Sequence, residues 1–245
     1  MDPQHRIGTR EEWLAASRAL LVEEKALTRA RDELARKRRT LPWVKVDKTY
    51  VFDTPQGRKT LADLFDGRSQ LIVYHFMLGP DWEEGCVGCS FLSDHIDGIL
   101  PHLEHHDVSY VTVSRAPLAK LEVFRKRMGW KFPWVSSNGS DFNFDYHVSF
   151  TPEEVASKTA FYNFTEQDVG IDELHGHSVF YKDEKGDVYH TYSSYARGGE
   201  EFMNTYAHLD VTPKGREEVR GMTDWLKHHD RYEENTKSGC AACGS

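Results

Sequence analysis

A chain of 245 residues with 39 % apolar and 29 % charged side chains is enough for one well-buried domain or two small ones. Its 31 basic and 39 acidic side chains leave a net charge of −8, which repels a polyphosphate backbone and argues against nucleic acid as a partner. Four cysteines are too few for a disulfide-stapled scaffold, yet they fall in two pairs of equal spacing, Cys86-Val-Gly-Cys89 and Cys240-Ala-Ala-Cys243.

The N-terminal run has no apolar stretch of signal-peptide length, and no later window approaches a membrane span, so the expectation is a cytoplasmic protein with no membrane partner. In that compartment closely spaced cysteines more often do redox or metal work than form permanent staples. Thr9 and Glu12 have capping-box spacing, and no Gly or Pro follows until Pro42, so a long helix is predicted to about Arg38. Trp13, Leu20, Leu27 and Leu34 recur every seven residues, a seam too thin for a coiled coil but suited to lying across the globular part or a second copy, as in a homodimer. The run Arg36 to Arg39 reads as its dipole-complementing last turn rather than a nucleic-acid patch.

From Val44 to Gly57 the pattern is a strand or hairpin, and Thr60 to Phe65 a short helix. Leu71 to Met77 has the unbroken apolarity of a strand buried on both faces. Leu92, Ile96, Ile99, Leu100 and Leu103 predict an amphipathic helix that starts at the cysteines and is kinked by Pro101. Val108 to Ser114 is a second buried strand and Pro117 to Met128 a helix stopped by Gly129. Strand, helix, strand, helix implies a parallel βαβ unit. Residues 130–164 read as an aromatic-rich insertion packed on the core, more core than pocket. His177 to Tyr181 and Val188 to Tyr195 form a hairpin through Asp183-Glu-Lys-Gly186. A loop at Asp210 to Arg216 leads to a closing helix over residues 216–229, and the remainder, with the second cysteine pair, reads as a flexible tail.

A CxxC between the end of a buried strand and the start of a helix is a redox signal, because unpaired N–H groups at the helix start stabilise a thiolate. Cys86 is then the nucleophile, and Cys89, one turn on, the thiol that resolves the mixed disulfide. The runs Tyr74 to Trp82, Val113 to Pro117, Gly129 to Ser137, Asp141 to Asp145, His190 to Gly198 and Leu209 to Pro213 together resemble the bacterial thioredoxin-like family called domain of unknown function 899, over roughly residues 9 to 230. The resemblance implies an α/β thioredoxin-like fold, a central mixed sheet flanked by helices, with a long N-terminal helical extension. The domains expected are then 1–40, the extension; 41–229, the thioredoxin-like domain; and 230–245, the tail. It does not imply a particular reaction.

Three departures from thioredoxin point to a family-specific substrate rather than general protein-disulfide reduction. Gly85, not Trp, precedes the leading cysteine, the nearest being Trp82; the dipeptide is Val87-Gly88; and Leu174-His-Gly-His-Ser178 stands where thioredoxins carry a cis-proline. Peroxiredoxin spacing is not met either, since Pro80 lies six before Cys86 and Glu83 occupies the hydroxyl position.

Two CxxC pairs can make a four-cysteine zinc site, but 150 residues separate them here, far beyond zinc-module spacing. A mixed copper or zinc site would draw on Cys86, Cys89, His75 and His177. Arg115, after the second buried strand, is placed either to stabilise a thiolate or anionic substrate or to pair with a carboxylate, and Arg197 is a similar case. Cys240 and Cys243 read either as a redox shuttle that folds back on Cys86 and Cys89 or as incidental. No nucleotide fingerprint is present, so no cofactor beyond a redox-active disulfide is required. The leading reading is a thiol–disulfide oxidoreductase whose partners are a small-molecule or protein disulfide and an external thiol reductant. The alternatives are a metal-binding thioredoxin-fold protein and an enzyme of other chemistry in an aromatic pocket beside the cysteines.

Overall fold

Thr9 and Glu12 do what their spacing predicts: Glu12 N–H donates to Thr9 Oγ1 at 3.2 Å and Thr9 N–H to Glu12 Oε2 at 2.8 Å. They open helix α1 (Arg10–Arg38), whose last turn carries Arg36, Lys37 and Arg38 and whose residues are none of them buried. In this computed structural model, which describes residues 6–219, 221 and 225–232, the chain divides into two compact units, Met1–Trp43 and Val44–Ser245. The second pair, Cys240 and Cys243, lies outside the described residues.

The second unit is built on an eight-stranded sheet. Its strands are β1 (Val44–Lys45), β2 (Val51–Thr54), β3 (Gly57–Thr60), β4 (Gln70–His75), β5 (Val108–Ser114), β6 (Trp134–Ser136), β9 (Gly176–Lys182) and β10 (Val188–Tyr195), in the order β1-β10-β9-β4-β5-β6-β2-β3. A separate two-stranded hairpin pairs β7 (Ala160–Tyr162) with β8 (Thr165–Gln167). Strands β4, β5 and β6 run parallel, while β9 is antiparallel to β4 and β10 to β9. Helix α2 (Val87–Ser93), α3 (Leu100–His105) and α4 (Leu118–Met128) lie in the crossovers. A βαβ unit joined to an antiparallel hairpin, in the order β5-β4-β9-β10, is a thioredoxin-like sheet, here extended by β6, β2 and β3 on one side and β1 on the other.

Alternation along β4 divides the core. Tyr74 and Phe76 pack with Cys89, Phe91, Leu92, Tyr110, Phe124, Trp130 and Trp134, on the face that carries α2 and α4. Leu71 and Val73 pack with Phe52, Val111, Val113, Val135, Phe142, Tyr146 and Phe180 on the other.

Three expectations change. The helix that begins at the cysteines ends at Ser93, and Pro101 stands in the first turn of a second helix, where its missing N–H has no partner to lose. Asp94 and Asp97 occupy the break because they serve a distant segment: Trp130 Nε1 donates to Asp94 at 2.8 Å, and Lys131 and Phe132 N–H donate to Asp97 at 2.9 and 2.8 Å. In the aromatic run, Trp134–Ser136 is a third parallel strand, so the insertion proper begins only after Ser136 and consists of α5 (Phe142–Asp145), α6 (Pro152–Ser157) and the β7–β8 hairpin. Finally, the described part of 216–229 is not the closing helix expected; a short helix α7 (Asn204–Leu209) precedes it, and only His229–Arg231 forms a single 3-10 turn. Among the described residues no helix is long and apolar enough to cross a membrane.

Candidate active site

Cys86 caps α2 and ends a loop that leaves β4 at His75. Its N–H closes that loop on Met77 O at 3.1 Å, and its carbonyl accepts from both N–H and Oγ of Ser90 at 2.9 Å. Cys89 follows one helical turn on. Both are free thiols; Cys86 is half-buried and Cys89 only 2 % exposed. The Cys89 thiol and the backbone N–H groups of Cys89 and Gly88 all point hydrogen at the Cys86 sulfur, and against the opposing effect of burial they bring it down from 9.0 to about 7. Burial, then the neighbouring Cys86, push Cys89 well above its ordinary value. One cysteine is poised as a thiolate and the other is held as a thiol.

Below them, on β4, lies Tyr74. Its hydroxyl is fully buried beside Cys89 and has no hydrogen-bond partner of good geometry, and burial followed by the Cys89 charge pushes its pKa well up. His177, the residue opposite it on β9, stacks on its ring with centroids 4.7 Å apart. Burial holds His177 neutral, far below the usual imidazole range, with Nδ1 unpartnered.

The loop from β4 to α2 is pinned from several directions. Lys120 of α4 donates to Trp82 O at 2.8 Å and also to Pro80 O. Gly85 must be glycine: a Cβ there would lie 2.6 Å from the Phe76 ring and 2.8 Å from that of Phe124. His228 Nε2 donates to Gly85 O at 2.9 Å. Glu84 accepts from Arg127 at 2.8 Å and from both terminal nitrogens of Arg231 at 2.9 and 2.7 Å, while Arg127 also holds Asp230. Glu84 is held below the usual carboxylate range by these arginines, Arg231 first. Nothing in the sequence marks this clamp, because charged residues in an exposed loop and a polar C-terminal segment read as solvated.

Of the other residues singled out from sequence, Trp82 lies over Gly79, whose Cβ would come 2.9 Å from its ring. Arg115 donates to Glu173, which is 1 % exposed, reaches Asp172 at 3.4 Å and sits 4.7 Å from the Phe144 ring centroid. Glu173, missed from sequence, also accepts from Ser149 at 2.8 Å. Arg197 pairs with Glu200 at 2.7 Å. The mixed metal set is not assembled: His75 faces the opposite side of the sheet from Tyr74, stacked on Phe142 and Tyr146 and bonded to Ser178 at 2.9 Å. Among the described residues no three His, Cys, Asp or Glu side chains are grouped as metal ligands. A cleft of about 310 Å³ between Thr54, Arg68, Glu104 and Pro133 includes no residue of the cysteine loop.

A family described as bacterial protein of unknown function, DUF899, matches residues 2–232. The chain belongs to this family. No curated protein matches it. Among solved structures this DUF899 protein is similar to peroxiredoxin Q from Xanthomonas campestris, at 14 % identity over 72 % of this chain and 99 % of that one, with a TM-score of 0.45. It is also similar to the peroxidoxin BcpB from Mycobacterium tuberculosis, at 11 % identity over 69 % and 97 % of the two chains, TM-score 0.44. The thioredoxin-like assignment itself stands on the strand order and the position of α2.

Proposed function

We propose that this DUF899 protein is a thiol–disulfide oxidoreductase of the cytoplasm, with Cys86 as nucleophile and Cys89 as resolving thiol. The observation that carries this reading is the asymmetry of the pair: Cys86 is half-buried and brought down to about 7, whereas Cys89 is buried and pushed up. At neutral pH about half of Cys86 is thiolate, close to the optimum for exchange.

The cycle follows from that asymmetry. The Cys86 thiolate attacks one sulfur of a small-molecule or protein disulfide, forms a mixed disulfide and expels the other sulfur as a thiolate. Cys89 then gives up its proton and attacks Cys86 Sγ, which expels the second substrate thiolate and leaves a Cys86–Cys89 disulfide. Two electrons have passed to the substrate, and a thiol reductant returns them. Tyr74 is placed to donate its unused O–H to the Cys89 sulfur as that sulfur becomes charged.

Steady-state reduction of a symmetric aryl disulfide with a dithiol as electron source tests the assignment. Cys86→Ser abolishes turnover, and Cys89→Ser accumulates the Cys86–aryl mixed disulfide, visible by intact-mass spectrometry. Unchanged turnover in Cys86→Ser overturns the proposal.

A further inference from the structure

The peptide between Gly85 and Cys86 is held at both ends. Its N–H donates to Met77 O at 3.1 Å, and its carbonyl accepts from His228 Nε2 at 2.9 Å, a contact made 143 residues along the chain. Cys86 has φ −55° and ψ 133°, the non-helical conformation of a residue that caps a helix, and its sulfur faces the N–H groups of Gly88 and Cys89. The direction in which that sulfur leaves the backbone is therefore set by how the Gly85–Cys86 peptide plane lies against α2. Gly85 cannot fix the plane with a side chain of its own, because the rings of Phe76 and Phe124 fill the space a Cβ would take. A glycine also has the widest choice of backbone conformations, so the hold on its carbonyl matters more here than at any other residue type.

His228 is built for that contact. It is 1 % exposed, its ring meets the edge of Phe124 at 5.4 Å, and Trp225 and Leu226 anchor the same segment against Phe91 and the core. Arg127 donates to Nδ1 at 3.3 Å, so the ring's single hydrogen stands on Nε2, facing Gly85. The charges around the ring are Glu84, Arg127 and Arg231, with Asp230 on Arg127, and they pair among themselves. Burial holds His228 below the usual imidazole range, so it stays a neutral donor where Cys86 ionises. A phenylalanine would fill the same space without desolvating a polar ring; what the histidine adds is a hydrogen for one buried carbonyl.

We propose that His228 is a positioning residue for the nucleophile: its hydrogen bond to Gly85 O fixes the Gly85–Cys86 peptide and so holds the Cys86 sulfur against the N–H groups that stabilise it as a thiolate. This rests on the oxidoreductase reading above and adds to that site a residue that acts through the backbone. Without the donor, Gly85 O is left buried and unpaired, the glycine turns to find a partner, and the sulfur loses part of its alignment. The loss of one hydrogen bond to a charged sulfur raises its midpoint by about one pH unit.

Site-resolved alkylation of the reduced full-length protein as a function of pH, read at the Cys86 peptide by mass spectrometry, tests the role with three variants. His228→Phe keeps the aromatic packing and removes the donor, His228→Met removes it with a flexible apolar chain should the larger ring not be accommodated, and His228→Gln keeps an N–H donor near the place of Nε2. In His228→Phe and His228→Met the Cys86 midpoint should rise by about one pH unit, so that alkylation well below the midpoint slows about tenfold while the alkaline plateau is no lower. His228→Gln should return the parental midpoint. A parental midpoint in the folded Phe or Met variant, or a Gln variant shifted as far as either, overturns the proposal, since packing alone would then account for the histidine. The readout needs no turnover, so the two readings fail separately: the oxidoreductase one falls if Cys86→Ser reduces aryl disulfide as fast as the parent.

Discussion

Tyr74 and His75 are neighbours in one strand, yet they belong to two different environments. On the Tyr74 face, polar atoms gather without partners: the hydroxyls of Tyr74 and Tyr110, Thr112 Oγ1, Ser93 Oγ and His177 Nδ1. On the His75 face His75 Nδ1 is also unpartnered, but a chain of contacts runs from His75 Nε2 to Ser178 at 2.9 Å, on to Ser193 at 3.4 Å and from Ser193 to His190 at 2.8 Å, within a packing of Phe142, Tyr146 and Phe180. A buried polar group without a partner is costly, so the number of them beside the two thiols sets the Tyr74 face apart. Both faces carry an apolar core, but the Tyr74 face leaves more of its buried polar atoms open beside the two thiols.

The contrast can be broken most forcefully on the apolar side. Phe142 is fully buried against Tyr50, Phe52 and Tyr146 at ring-centroid distances of 5.1, 4.9 and 4.7 Å. Phe142→Ala should cost about 4 kcal/mol in urea unfolding and leave the pH profile of Cys86 alkylation where it was. A moved profile would mean that the two faces are not separate.

Acid offers a graded test of the same side. Burial holds His75 down from 6.5 to about 3, so between those values the unfolded chain binds a proton that the folded chain refuses. The stability that this neutral histidine maintains above pH 6.5 is therefore lost as pH falls towards 3, at about 1.4 kcal/mol per pH unit. Urea midpoints at pH 7, 5.5 and 4.5 should fall accordingly, and His75→Phe should remove one proton's share of the slope; an unaltered slope contradicts the burial argument.

The smallest effect belongs to the thiol face. Tyr74→Phe removes a hydroxyl that bonds to nothing well in the resting fold, so stability should hardly change. The Cys86 mixed disulfide should nonetheless survive about tenfold longer, because Cys89 must ionise without that donor. Equal lifetimes would reduce Tyr74 to packing.

Legibility in the sequence followed the range of the forces involved. The capping box at Thr9 and Glu12, the strand–cysteine–helix junction and the turn at Asp183 to Gly186 are short-range features, and each appears at the residues that encode it. The break after Ser93, the strand at Trp134–Ser136 and the clamp on Glu84 and Gly85 depend on partners 22 to 147 residues away, and no local pattern announces them. Residues 225–229 are instructive: they fall in the closing helix expected over 216–229, but Trp225, Leu226 and His228 are individually claimed by Phe91, the core and Gly85. Glu173 was illegible for a related reason, since a carboxylate read from sequence is assigned to solvent until a half-buried Arg115 supplies its counter-charge.

The central claim is that Cys86 and Cys89 differ chemically because of where the fold puts them. Site-resolved alkylation of the reduced full-length protein across pH 5 to 10, followed by peptide mass spectrometry, tests this directly. The account predicts that Cys86 modification rises through a midpoint at about 7 while Cys89 stays unmodified until the fold is opened. A Cys86 midpoint near 9, or equal reactivity of the two thiols, would contradict it.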